Sequence, residues 1–143
     1  MPNLAGHDRP RGLLDTTRAD VPVATRYDRD ALHRLRDEHA GRAVAELGFL
    51  PRIASHPEAN AALHIRLTDQ DHSRVHRRHA RPQTREASLY LNVEPCEGAD
   101  GCRQQLSRML PEGFKLTVYA PNGFLRVYRG RPDPPDRRRS DER

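Results

Sequence analysis

The stretch ASHPEANAALHIR (residues 54–66) sets a histidine and a glutamate on either side of Pro57, immediately before a run of alanines. Ala59, Ala62, Leu63 and Leu67 recur at three- and four-residue steps, the period of one face of an α-helix. Pro57 suits the first helical turn, where its missing N–H is no loss. The spacing predicts a helix over 56–67 that buries small residues against a neighbouring layer. Ser55-x-x-Glu58 is also a capping box, in which the serine bonds a free helical N–H and the glutamate reaches back. Taken alone, the stretch reads more readily as a polar helix start than as a metal ligand beside a proton-carrying group.

Upstream, Ala31, Leu32, Leu35, Ala40, Ala43, Val44 and Leu47 keep helical spacing and Gly48 ends the run, which predicts an amphipathic helix from Asp28. Residues 1–26 show little periodicity apart from VPVAT (21–25), a short edge strand because Pro22 cannot donate to a ladder. Downstream, DQDHSRVHRRHARPQTRE (69–86) is polar, strongly basic and long for a loop. ASLYLNV (87–93) is a buried strand, and a short helix follows over 102–110. FKLTVYA and FLRVYR are strands joined through Asn122-Gly123, a dipeptide that favours a tight turn between antiparallel neighbours. The order helix, helix, strand, helix, strand, strand predicts an α/β fold with helices packed on a mixed sheet. Residues 27–130 form the expected domain, between a mostly irregular segment (1–26) and a disordered basic tail (131–143).

A chain of 143 residues suits a single core, and with 35% apolar residues, 31% charged residues and 12 prolines much of it is solvated. Lys115 is the only lysine among 25 basic residues; arginine's planar fork grips phosphate and stacks on bases. A net charge of +5 fits a nucleic-acid partner as well as it fits a solvated arginine-rich surface. No apolar run approaches the roughly 18 residues of a membrane span. The N-terminus lacks the apolar stretch of a secretory signal, so export would need another carrier.

Cys96 and Cys102 are the only cysteines. Their spacing permits a short disulfide loop or a pair of thiolate ligands. Their order behind His56-Pro57-Glu58 is more telling. Zinc deaminases use three protein ligands that leave a fourth position for water, with a glutamate outside the ligand set to move protons, in the pattern H-x-E … P-C-x-x-C. Here Pro95-Cys96 and Cys102 follow with a wider cysteine spacing. Both motifs fall at predicted helix starts, where free N–H groups favour a thiolate at Cys102.

The span from about Ser55 to Gly130 resembles the deaminase toxins of bacterial polymorphic toxin systems, the group that includes the double-stranded DNA cytosine deaminase toxin. The resemblance rests on HPEANAALHIR, on LYLNVEPCEGADGCRQQLSRMLPEGFKLTVYAPNG and on FLRVYRG. It implies a cytidine deaminase-like α/β/α sandwich with a mixed sheet. It also implies a zinc ion on His56, Cys96 and Cys102, with Glu58 as proton shuttle, and conversion of cytosine to uracil in DNA. Asn92 stands where the family has an asparagine near the substrate nucleotide, although a strand-end asparagine also satisfies backbone groups.

Further expectations are an interbacterial toxin domain acting in the cytoplasm, delivered by a carrier, monomeric and neutralised by an immunity protein. Arg74, Arg77, Arg78 and Arg81 would contact phosphates beside the pocket, while His72, His76 and His79 form either a second metal cluster or a solvated group. The rival classes are a non-catalytic zinc-stabilised nucleic-acid-binding module and a deaminase of RNA or free nucleosides.

Overall fold

Alternation along β3 (Glu86–Leu91) buries Leu89 and Leu91 and exposes Tyr90, and this strand sits at the centre of a five-stranded sheet. The structure, a computed structural model, describes residues 9–16, 20–38, 43–76, 85–98 and 101–132, with only the backbone over 69–76. The other elements are β1 (Arg11–Asp15), β2 (Asp20–Ala24), α1 (Arg29–Glu38), a 3₁₀ turn (Val44–Leu47), α2 (Pro57–His76), α3 (Cys102–Met109), β4 (Lys115–Ala120) and β5 (Phe124–Arg129).

The sheet order is β2-β1-β3-β4-β5. Only β3 and β4 run parallel, and α3 supplies the crossover that parallel neighbours require. The mixed sheet and the α/β class expected from the sequence are what the chain adopts. Pro22 lies on an edge strand as expected, and β4 and β5 pair antiparallel through a turn in which Asn122 (φ 64°) and Gly123 (φ 75°) take left-handed backbone angles.

One sheet face carries Leu14, Leu89, Leu116 and Val118, fully buried in a common core with Ala59, Ala62, Leu106 and Met109 of the helices. Alanine in α2 lets that helix sit close to the strands. The opposite face carries Leu13, Tyr90, Tyr119 and Leu125 in register across four strands, all exposed, with the two tyrosine rings stacked at 4.9 Å. Of the two helical layers of an α/β/α sandwich, the described residues therefore supply the one on the Leu14–Leu89 face.

Three expectations about the elements change. Residues 11–15, read as irregular, form β1, because pairing to β2 and β3 on both sides outweighs a weak local pattern. The helix expected from Asp28 to Gly48 is helical over Arg29–Glu38 and again as the 3₁₀ turn, which Gly48 ends with φ 94°. Ala43, extended at φ −60° and ψ 134°, precedes that turn, and residues 39–42 lie outside the described residues. Helix α2 runs on to His76, so the first part of the basic stretch is helical and not loop. Residues 133–143 of the expected tail lie outside the described residues.

Candidate metal centre

His56 stands at the mouth of α2. Its N–H bonds the Ile53 carbonyl and its own carbonyl accepts the first helical bond, from Asn60 at 3.0 Å. The Asn60 side-chain nitrogen lies within 2.6–3.2 Å of the carbonyls of Ala24, Arg26 and Ser55, tying the helix start to the end of β2. Pro57 is fully buried in the first turn. The imidazole is thus aimed by a turn, a helix start and a strand end together.

The cysteines come from the loop that leaves β3 and from the first residue of α3. The Cys102 backbone N–H donates to Cys96 Sγ at 3.1 Å, and the Arg103 N–H donates to the Cys96 carbonyl at 3.1 Å. A Cβ on Gly101 would collide with the Glu97 carbonyl and lie 2.7 Å from that of Cys96, so the loop closes over a position that only glycine fills. The wide cysteine spacing is therefore folded back on itself until the two sulfurs face one histidine.

His56 Nδ1 lies 3.6 Å from Cys96 Sγ and 3.4 Å from Cys102 Sγ, and all three atoms fall within 4.8 Å of one another. Zinc–sulfur bonds of about 2.3 Å and zinc–nitrogen bonds of about 2.0 Å set at tetrahedral angles give a sulfur–nitrogen edge of about 3.5 Å. The residues fit the ion. Both cysteines are free thiols, so the disulfide reading does not hold, and the pair joins His56 in a cluster that could hold a metal ion.

Glu58, only 5% exposed, places its carboxyl against the Cys102 thiol. Burial pushes the carboxyl above its usual range, and bonds from its own backbone N–H and from Cys102 pull it partly back. Burial, helped by the Arg52 guanidinium, pushes His56 down and keeps the ring neutral, the form that binds metal. Cys102 is pushed far up, first by burial and then by the Glu58 carboxylate and Cys96. The expected stabilisation of the Cys102 thiolate by its helix start does not prevail: the first N–H of α3 serves Cys96, and Cys102 faces a carboxylate in a desolvated site. A cation at the cluster would favour the thiolate at Cys102.

His56, Glu58 and Cys96 line a cavity of about 120 Å³ together with Pro10, Arg11 and Asn92. The sequence model of the SCP1.201-like deaminase family matches residues 16–131, which hold all of these groups but Pro10 and Arg11. The chain belongs to this family. It is a deaminase domain of the cytidine deaminase-like superfamily, which includes toxin deaminases, and it carries a His/Cys/Cys cluster able to bind a metal ion. No curated protein and no solved structure matches the chain.

Asn92 reaches the cavity wall, yet its side chain is also committed to β1: Oδ1 accepts the Arg11 N–H at 2.7 Å and Nδ2 donates to the Arg9 carbonyl at 3.0 Å. The strand-end reading, in which the amide satisfies backbone groups, is the one these bonds bear out. Arg74 lies on α2, while Arg77, Arg78 and Arg81 fall outside the described residues; His72 and His76 also lie on α2 and His79 falls outside. Sequence reasoning missed Arg11 at the cavity, because its strand was not recognised. It also missed Arg66, although that residue continues the 59, 62, 63 stripe by helical spacing and is 4% exposed.

Among the described residues no helix is long and apolar enough to cross a membrane.

Proposed function

We propose that the chain is a zinc-dependent deaminase that converts cytosine to uracil in DNA, as an interbacterial toxin domain. The observation that carries the reading is the buried Glu58 carboxyl, bonded to Cys102 and opening onto the cavity that His56 and Cys96 also line. Held by His56, Cys96 and Cys102, zinc would supply a Lewis acid that makes water a nucleophile near neutral pH.

The protein's own part is then proton traffic. Glu58 takes a proton from the attacking water and passes it to the ring nitrogen, and water oxygen bonds to C4. Glu58 then takes the remaining proton from the C4 hydroxyl and delivers it to the departing amine as the C4–N bond breaks, leaving uracil and ammonia. A carboxyl pushed up by burial suits this work, since it gains and releases a proton closer to neutral pH.

The cavity, about 120 Å³, is well below the roughly 300 Å³ at which sites for drug-sized ligands begin. A single pyrimidine ring can enter, and the rest of a nucleotide must lie outside, as when a base is flipped out of its strand. The +5 charge and arginine-rich composition suit a polyanion outside the pocket. The toxin role, action in the cytoplasm of a target cell and neutralisation by an immunity protein are supported by the resemblance to polymorphic toxin deaminases.

The test is to incubate single- and double-stranded DNA and RNA with the wild type and with Glu58→Ala and to sequence the products. C-to-U changes in DNA that vanish in the variant are expected. No change in any substrate would overturn the reading.

A further inference from the structure

Of the three metal ligands, Cys96 is the one that regular structure does not hold. His56 directly precedes α2 and accepts its first helical bond, and Cys102 opens α3, whereas residues 94–97 adjoin neither helix nor strand. We propose that Arg103 is a positioning residue for Cys96, a guanidinium clamp that sets this ligand opposite His56 and Cys102. The inference rests on the zinc reading of the site.

The Arg103 contacts bracket Cys96 on both sides. Nε donates to the Pro95 carbonyl at 2.8 Å, Nη1 reaches Glu97 Oε1 at 3.0 Å and Nη2 reaches Glu94 Oε1 at 3.1 Å, while the backbone N–H takes the Cys96 carbonyl. Four consecutive residues, Glu94 to Glu97, are thereby bonded to one arginine. Its plane lies over the Phe124 ring at 4.9 Å, so the clamp is anchored on β5. Glu94 Oε2 in turn accepts from Asn122 Nδ2 at 3.2 Å, joining the clamp to the β4–β5 turn. The loop is therefore tied to β5 and to the β4–β5 turn through Arg103 and Asn122.

This device serves geometry more than folding. The Glu94 and Glu97 side chains are 37% and 77% exposed, and ion pairs so placed contribute little to stability. Their directions, however, are set by a rigid fork held over the Phe124 ring, which lysine's single rotatable ammonium cannot reproduce. Outer groups that orient a metal ligand commonly govern metal affinity by 10–100-fold. Arg103 follows directly on Cys102, so the residue that supplies one ligand is bonded in sequence to the residue that aims another.

The experiment compares wild type, Arg103→Met and Arg103→Lys by zinc competition against a chromophoric chelator, by the thiolate-to-cobalt absorption of the Co²⁺-loaded protein, and by urea unfolding of the metal-free chain. The expected result for Arg103→Met is a zinc Kd weakened about 10–100-fold, with an altered cobalt spectrum and a metal-free urea midpoint close to wild type. Arg103→Lys should recover only part of the affinity. A zinc Kd within threefold of wild type overturns the proposal, as does a loss of affinity matched by an equal loss of metal-free stability. Should Arg103→Met fail to fold, Glu94→Gln carries the same test by removing one charged arm, and an unchanged zinc Kd there overturns the proposal. Failure of the wild type itself to bind zinc would instead refute the metal site.

Discussion

Arg66 is the most consequential charge in the core, and replacing it by methionine should destabilise the protein by about 3 kcal/mol. The guanidinium is 4% exposed, and it closes the C-terminal end of α3. Nε bonds the Met109 carbonyl at 2.5 Å, and Nη2 bonds those of Arg108 and Leu110 at 3.0 and 3.2 Å. These are carbonyls that a helix end leaves without partners, and the cation also meets the negative end of the helix dipole. Methionine would keep the packing of the stem but leave buried carbonyls unpaired at about 1–3 kcal/mol each. Relaxation of the helix end and entry of water offset part of these costs and of the lost dipole energy, leaving a sum near 3 kcal/mol, a large part of a total of roughly 5–15 kcal/mol. Thermal unfolding should shift down by about 10–15 °C. Zinc affinity should fall as well, because Arg66 lies on the helix that His56 introduces and grips the helix that Cys102 opens. Arg66→Lys, with one donor direction in place of a fork, should lose roughly 2 kcal/mol. The assay is urea and thermal unfolding of the metal-free and zinc-loaded forms. A loss below about 1 kcal/mol for Arg66→Met would refute the reasoning.

Glu58→Gln should retain zinc, lose turnover by at least about 10²-fold and raise metal-free stability at neutral pH by on the order of 1 kcal/mol. The sign follows from burial: Glu58 binds its proton more tightly folded than unfolded, so its contribution is intact below the usual value of 4.5 and is lost as pH rises towards the higher folded value. The stability gap between variant and wild type should therefore widen from acid to neutral pH, and a gap independent of pH would contradict this. Neutralising Arg74, Arg77, Arg78 and Arg81 together should flatten the dependence of DNA affinity on salt; an unchanged slope would remove them from the phosphate contacts.

Local signals made part of this molecule legible in advance. Asn122-Gly123 between two apolar alternations identified the β4–β5 hairpin, since few residues take left-handed angles in succession. The alanine stripe identified the start of α2, and the two motifs at helix starts identified the groups that converge. What stayed hidden depended on partners distant in sequence. RGLLD becomes β1 because it is bonded on both edges, and the Asn92 amide is then drawn to the Arg9 and Arg11 backbone. The second half of α2 lacks an apolar stripe, so helical spacing alone could not extend it. Arg66 and Arg103 look like any other arginine in a chain with 25 basic residues; only the stripe position of Arg66 distinguished it.

The electrostatics of the centre follow from one cause acting on three groups. Desolvation keeps His56 neutral, raises the Glu58 carboxyl and holds Cys102 as a thiol. A neutral imidazole and a readily protonated carboxyl are what metal binding and proton transfer require, so for two of the three groups burial already prepares the working state. For Cys102 it opposes that state, and the carboxyl beside it opposes it further. A divalent cation held in common by His56 and both sulfurs would reverse the balance at the thiol, releasing its proton next to the buried Glu58 carboxyl. The contact that makes Cys102 a poor thiolate in the metal-free chain is thus the contact that places Glu58 where the proton has to go.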